Sequence, residues 1–137
     1  GYKFELGKGI TLHEGNDITV VATGLCVSEA LKACKSLKAE GVNVRLINIH
    51  TIKPLDKDII IKAAKETGKI ITVEEHNVIG GLGDAVCSVL AENHPVPVRK
   101  IGVEDRFGYS GPAKELLEIF GLCESNIKKV IKEELNK

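Results

Sequence analysis

The chain has 137 residues, 43% hydrophobic and 28% charged, a length and balance that allow one domain with a real core and exclude fibrous and disordered classes. Nineteen basic residues offset nineteen acidic ones, leaving no electrostatic footprint for nucleic acid or an anionic membrane. No apolar run approaches the roughly 18 residues of a membrane span, and Gly1-Tyr2-Lys3-Phe4-Glu5 lacks the apolar core of a signal peptide, so a cytoplasmic protein is expected.

At the N-terminus, Tyr2, Phe4 and Leu6 alternate with polar residues, which predicts a linker packed along one side. The absence of methionine fits a piece of a longer polypeptide, with Gly1 in an interdomain linker. Residues 1–15 are read as linker and short edge strand, and 16–137 as a single α/β domain. Continuous β-rich apolar runs at 18–23, 42–49, 69–73 and 96–103 predict strands buried on both faces, since a half-exposed strand would alternate.

Helical patterns fill the intervals. Val27, Ala30, Leu31, Cys34 and Leu37 make one apolar stripe with Glu29, Lys32 and Lys35 outside it, ended by Gly41. After Pro54, Asp56 is placed to cap a helix carrying Ile59, Ile60, Ala63 and Ala64, stopped by Gly68. Asp84 is expected to open a third helix, with Ala85, Val86, Val89 and Leu90 inward, closed by Asn93 and Pro95. Ser110-Gly111-Pro112 signals a short helix through Phe120, and a last helix presents Ile127, Val130, Ile131 and Leu135. Alternating strands and helices predict a three-layer α/β/α domain around a mostly parallel sheet.

In such a sheet the strand exits share one edge, so Thr23-Gly24, Asn48-Ile49-His50-Thr51, Glu74-Glu75-His76 and Glu104-Asp105-Arg106 become neighbours. His50, Glu74, Glu75, His76, Asp105 and Arg106 form a candidate interface or ligand rim; each could equally be a solvated loop residue or cap. His76 ranks first, because it follows two carboxylates and precedes the turn carrying Gly80, Gly81 and Gly83. His50 could simply end a strand, and His13 and His94 have no constellation around them. Arg106 suits an anion, although Asp105 beside it could neutralise it.

The glycine turn does not fit a dinucleotide fingerprint, since Val86 stands where glycine or alanine is required and Asp84 puts an anion at the helix start. Glycine there serves a sharp turn and close passage of another backbone. No Walker loop, zinc spacing or nucleophile elbow occurs. Cys26, Cys34, Cys87 and Cys123 form no C-x-x-C pair and read as free structural thiols.

Three segments carry a family resemblance. Ile49-His50-Thr51-Ile52-Lys53-Pro54-Leu55-Asp56 is similar to a segment shared by transketolases, 1-deoxyxylulose-5-phosphate synthases and the beta subunits of 2-oxo-acid dehydrogenases. Glu74-Glu75-His76 with Gly80-Gly81-Leu82-Gly83 resembles the C-terminal domain of transketolases more narrowly, because the other two groups usually replace the histidine. Asp105-Arg106-Phe107-Gly108-Tyr109-Ser110-Gly111, with Leu116-Leu117 and Phe120-Gly121-Leu122, is similar to the closing segment of transketolases, including separately encoded C-terminal halves.

The resemblance implies the last domain of an enzyme that moves a two-carbon ketol unit between sugar phosphates with thiamine diphosphate and magnesium. Residues 16–137 would be that domain, completing a five-stranded sheet to which the short strand near Ile10 to His13, within residues 1–15, adds antiparallel at one edge. It also implies that cofactor and metal sit on other domains or on an N-terminal subunit, since Gly83-Asp84-Ala85 departs from the Gly-Asp-Gly metal motif. No catalytic, cofactor-binding or metal-binding residue is assigned to this chain, which alone should be inactive. Its implied roles are homodimer and interdomain contacts and a regulatory-ligand site. The alternatives are the matching domain of a synthase or beta subunit, and a self-standing α/β module binding a small anion at the rim.

Overall fold

The computed structural model describes residues 8–24, 26–50, 55–77, 81–103 and 123–137, with backbone alone for residues 75–77 and 103. The expected helix at 112–120 lies outside them. Five strands, β1 (Ile10–His13), β2 (Ile18–Ala22), β3 (Val44–Asn48), β4 (Ile70–Asn77) and β5 (Val98–Val103), form one sheet in the order β1-β3-β2-β4-β5. Four helices are described: α1 (Cys26–Ala39), α2 (Lys57–Thr67), α3 (Leu82–Asn93) and α4 (Glu124–Leu135). β1 pairs antiparallel with β3, Ile10 opposite Asn48, and the other pairings are parallel. The three-layer α/β/α architecture with an antiparallel edge strand is the one expected.

The central strand explains why its apolar run is continuous. All five residues of β2 are buried, because helices cover both faces of the sheet. On one side, Ile18, Val20 and Ala22 meet Cys34 and Leu37 of α1 and Ile127 and Ile131 of α4. On the other, Val21, Ile47 and Ile70 meet Ile60 of α2 and Val86 and Leu90 of α3. Each fully buried aliphatic side chain contributes about 1.5–3 kcal/mol. α1 leads from β2 outward to β3, whereas α2 and α3 lead back past β2 to β4 and on to β5. The change of direction puts them on opposite faces, as a single crossover hand requires.

Local signals set the helix ends. Asp56 caps α2, its Oδ1 accepting from Ile59 N–H at 3.3 Å, and Gly68 closes it at φ +76°. Behind α1, Gly41 at φ +86° donates to the Lys38 carbonyl and Val42 N–H to that of Leu37, so Val42 belongs to a helix stop and β3 begins two residues later than expected. β5 likewise begins at Val98, after Pro97, whose carbonyl accepts from Ile70 N–H at 3.1 Å. Gly9 N–H donates to Asp56 Oδ2 at 2.9 Å, tying the approach to β1 to the start of α2. Among the described residues no helix is long and apolar enough to cross a membrane.

Candidate functional site

The chain adds β3 on one side of β2 and then β4 on the other, so the carboxyl edge between β2 and β4 is the topological switch point, where open α/β sheets place their ligands. Thr23 N–H donates to the Val73 carbonyl at 3.3 Å, and Gly24 turns the chain at φ +56° toward α1. Beside it, Ile49 N–H donates to the Ala22 carbonyl at 3.0 Å and Ile49 is buried. His50 follows as an exposed residue, its Nε2 3.5 Å from Asn48 Nδ2.

β4 does not stop at Val73. It continues through Asn77, and Glu74 is therefore a strand residue rather than a strand exit. Period-two alternation places Thr72 and Glu74 on the α3 side of the sheet, between the residues that build the other face. Glu74 is 2% exposed, and its Oε2 accepts the N–H of Gly83, second residue of α3, at 2.9 Å. The neighbouring strand thus supplies the acceptor that the helix start lacks, since the capping position is Gly81 and has no side chain to offer. The other carboxylate oxygen, Oε1, is buried and has no hydrogen-bond partner among the described residues, and the same holds for Thr23 Oγ1 and Thr72 Oγ1.

Asp84 was expected to cap this helix, and the structure corrects that. α3 begins at Leu82, which makes Asp84 its third residue, and the Asp84 carboxylate forms an ion pair with Lys100 of β5. Asp84, and more weakly Glu74, hold the Lys100 ammonium above the usual lysine range. The physical reason is register: Lys100 lies opposite Thr72 on β5, directly beneath the first turn of α3. A Cβ on Gly83 would sit 2.8 Å from Lys100 Cγ and 3.0 Å from Thr72 Oγ1, so the turn approaches the sheet as closely as glycine allows.

Between Glu74, paired with Gly102, and Asn77, paired with Val103, the register shifts. Three steps along β4 match one along β5, so Glu75 and His76 form a bulge at the end of the strand. Bulges re-aim side chains and recur beside functional sites. Gly80, Asp105 and Arg106 lie outside the described residues. The structure thus brings His50, Glu74 and the Glu75-His76 bulge to one edge, with Glu74 buried and His50 exposed. Sequence reasoning missed the capping role of Glu74, although the alternation Thr72, Glu74 pointing at α3 was a readable signal.

Elsewhere the four cysteines form no disulfide, and burial pushes the Cys34 thiol up to about 12, which keeps it unreactive. Among the described residues no group of three His, Cys, Asp or Glu is placed to hold a metal ion.

Fold and edge together define an α/β domain with a doubly covered sheet and a polar carboxyl edge. The family profile described as "Transketolase, C-terminal domain" matches residues 7–127, and the chain belongs to that family. It is 45% identical over 125 residues to a 6-deoxy-6-sulfo-D-fructose transketolase subunit from a Clostridium species, covering 91% of this chain and 39% of that one. It is 43% identical over 129 residues to a 1-deoxy-D-xylulose-5-phosphate synthase from Heliobacterium modesticaldum, covering 93% of this chain and 20% of that one. A solved split-gene transketolase, an inactive beta4 tetramer, superposes with a TM-score of 0.91 at 44% identity, covering 98% of this chain and 44% of that one. The chain therefore spans less than half the length of these relatives.

Proposed function

We infer that this chain is the C-terminal domain of a thiamine-diphosphate-dependent transketolase of the cytoplasm, which transfers a two-carbon ketol unit between sugar phosphates. The observation that carries this reading is the family match over residues 7–127, in a chain that spans well under half of its transketolase relatives. Cofactor, magnesium and sugars are held by the remaining polypeptide, an N-terminal subunit or the preceding domains. The residues described do not fit a diphosphate, because the first turn of α3, the natural anion seat, already faces the Glu74 carboxylate and carries Asp84. The same charges speak against a self-standing module for small anions.

The work of this domain is then at its carboxyl edge: interdomain and homodimer contacts through His50, Glu75 and His76, joined by Asp105 and Arg106, and a regulatory ligand on the same rim. The bulge at Glu75-His76 supports this reading, since it presents two residues that the sheet does not pair. The test is reconstitution. Co-purified with the polypeptide carrying the cofactor motif, the chain should support ketol transfer from a ketose phosphate to an aldose phosphate. Alone it should give no calorimetric signal with thiamine diphosphate and magnesium, and a stoichiometric isotherm there would sink the reading. The synthase relative favours a second reading, which formation of 1-deoxy-D-xylulose 5-phosphate in place of ketol transfer would reveal.

A further inference from the structure

In a parallel sheet every strand begins at the amino edge, so a chain entering through such a strand meets the sheet on the side away from the switch point. β1 does the opposite. It runs antiparallel to β3, with Ile10 opposite Asn48 and His13 opposite Leu46, so its first residue lies at the carboxyl edge, two positions short of His50 along β3.

Two features hold the entry there. A Cβ on Gly9 would sit 2.7 Å from Ile49 Cδ1 and 3.2 Å from Ile59 Cγ2, so the chain passes close over the end of β3 and the first turn of α2. Gly9 N–H also donates to Asp56 Oδ2 at 2.9 Å, whereas the cap of α2 at Ile59 N–H uses only Oδ1. One carboxylate thus fixes both the helix start and the direction from which the chain arrives. A single oxygen, as in serine, would cap the helix as well, and the second oxygen serves the entry alone.

The family is a C-terminal domain, and the chain covers 39% of one transketolase relative and 44% of another. On the transketolase reading the rest of the polypeptide therefore arrives through Lys8, which is exposed, and Gly9. A tether keeps what it carries at high local concentration on the surface beside its anchor. That surface is the β3 half of the carboxyl edge, where Asn48 is half-buried and His50 exposed.

We propose that the β3 half of the carboxyl edge seats the polypeptide preceding β1, and that Asp56 is the positioning residue that aims it there. The proposal rests on the transketolase reading and names the interdomain contact within it.

Acylation of histidines by diethyl pyrocarbonate, read by mass spectrometry on the longer polypeptide, tests both halves. In the domain itself His50 is exposed, and His94, behind α3 at the amino edge, is half-buried. Seating should invert that order, with His50 acylated more slowly than His94; the domain's own order would overturn the proposal. Asp56→Ser keeps a capping oxygen for Ile59 N–H and removes the acceptor for Gly9. It should quicken acylation of His50 about fivefold, the population shift of one net hydrogen bond, and leave His94 unchanged. A wild-type rate at His50, or a rise at both histidines, would overturn the role given to Asp56. Dilution should not alter the wild-type rates, since a tethered contact is intramolecular; shielding lost on dilution would assign the edge to a second copy instead. Absence of ketol transfer on reconstitution removes the functional reading without touching these rates, so the two failures are told apart.

Discussion

Replacing Glu74 by alanine should be among the costliest single changes at the carboxyl edge. It strips the Gly83 N–H of an acceptor 2.9 Å away in a site that is 2% exposed, so water does not replace it. A hydrogen bond to a charged group contributes about 1.5–3 kcal/mol, and the helix-cap scale of about 0.5–2 kcal/mol measures the same interaction, so the two are not added. Alanine also removes the unpartnered Oε1, which offsets part of the loss. The net is about 2 kcal/mol. For a domain of this size 1 kcal/mol lowers the melting temperature by about 3–5 °C, giving a fall of about 6–10 °C. Asp84→Ala removes a pair whose side chains are 38% and 35% exposed, worth about 1 kcal/mol at most. Thermal unfolding followed by far-UV circular dichroism separates the two, and amide exchange at Gly83 should quicken in Glu74→Ala alone. A larger fall for Asp84→Ala, or unchanged exchange at Gly83 in Glu74→Ala, would refute the assignment of the cap.

Asp56→Ala loses both the acceptor for Ile59 N–H and that for Gly9 N–H, and should cost about 1–2 kcal/mol, with faster amide exchange at Gly9 as the specific sign. Lys137 first, and then Arg99 against the effect of burial, hold the Glu134 carboxyl below its ordinary value of 4.5. A depressed carboxyl contributes stability that is complete above its unfolded value and is lost as pH falls through the folded one. Melting temperatures scanned downward from pH 5 should therefore decline less steeply in Glu134→Gln than in wild type; parallel curves would show that the pair contributes nothing. His76→Ala, a change in the bulge at the end of β4, should leave the isolated chain within about 0.5 kcal/mol of wild type and weaken its association with the cofactor-bearing polypeptide. Unfolding of the isolated chain by several kcal/mol would instead make His76 a structural residue.

Where neighbouring residues decide an outcome, the sequence was legible. Asp56 and Gly68 bracket α2 because a carboxylate cap and a left-handed glycine act within a few residues of the helix that they bound. The strands β2, β3 and β4 read as continuous apolar runs because both faces are covered, a pattern that needs no knowledge of partners, whereas β5, expected to be buried in the same way, is an edge strand in which Val98, Arg99 and Lys100 are half-buried or exposed. Asp84 misled for the opposite reason. A carboxylate near a helix start satisfies the local rule, but the acceptor comes from Glu74, nine residues back on a strand, and Asp84 is drawn to Lys100 by the pairing of β4 with β5. The end of β4 was also misplaced, since Glu74, Glu75 and His76 look like an exit until β5 is known to run alongside as far as Val103.

The glycine turn shows how one composition serves two chemistries. In a phosphate site, glycine at a helix start lets the backbone approach an anionic ligand. At Gly83 the thing approached is the sheet itself, with Lys100 Cγ and Thr72 Oγ1 where a Cβ would intrude. The close approach is what brings the Gly83 N–H within reach of a carboxylate fixed on the strand below. Glu74 then occupies the seat that a phosphate would take, and the turn is preorganised by the protein's own anion rather than by a ligand. Adding a methyl group at Gly83 would force the helix start away from the strand or displace Lys100 from Asp84. Either response loosens the first turn of α3 from the strand that carries Glu74, so the identity of residue 83 and the capping of the helix are linked through packing.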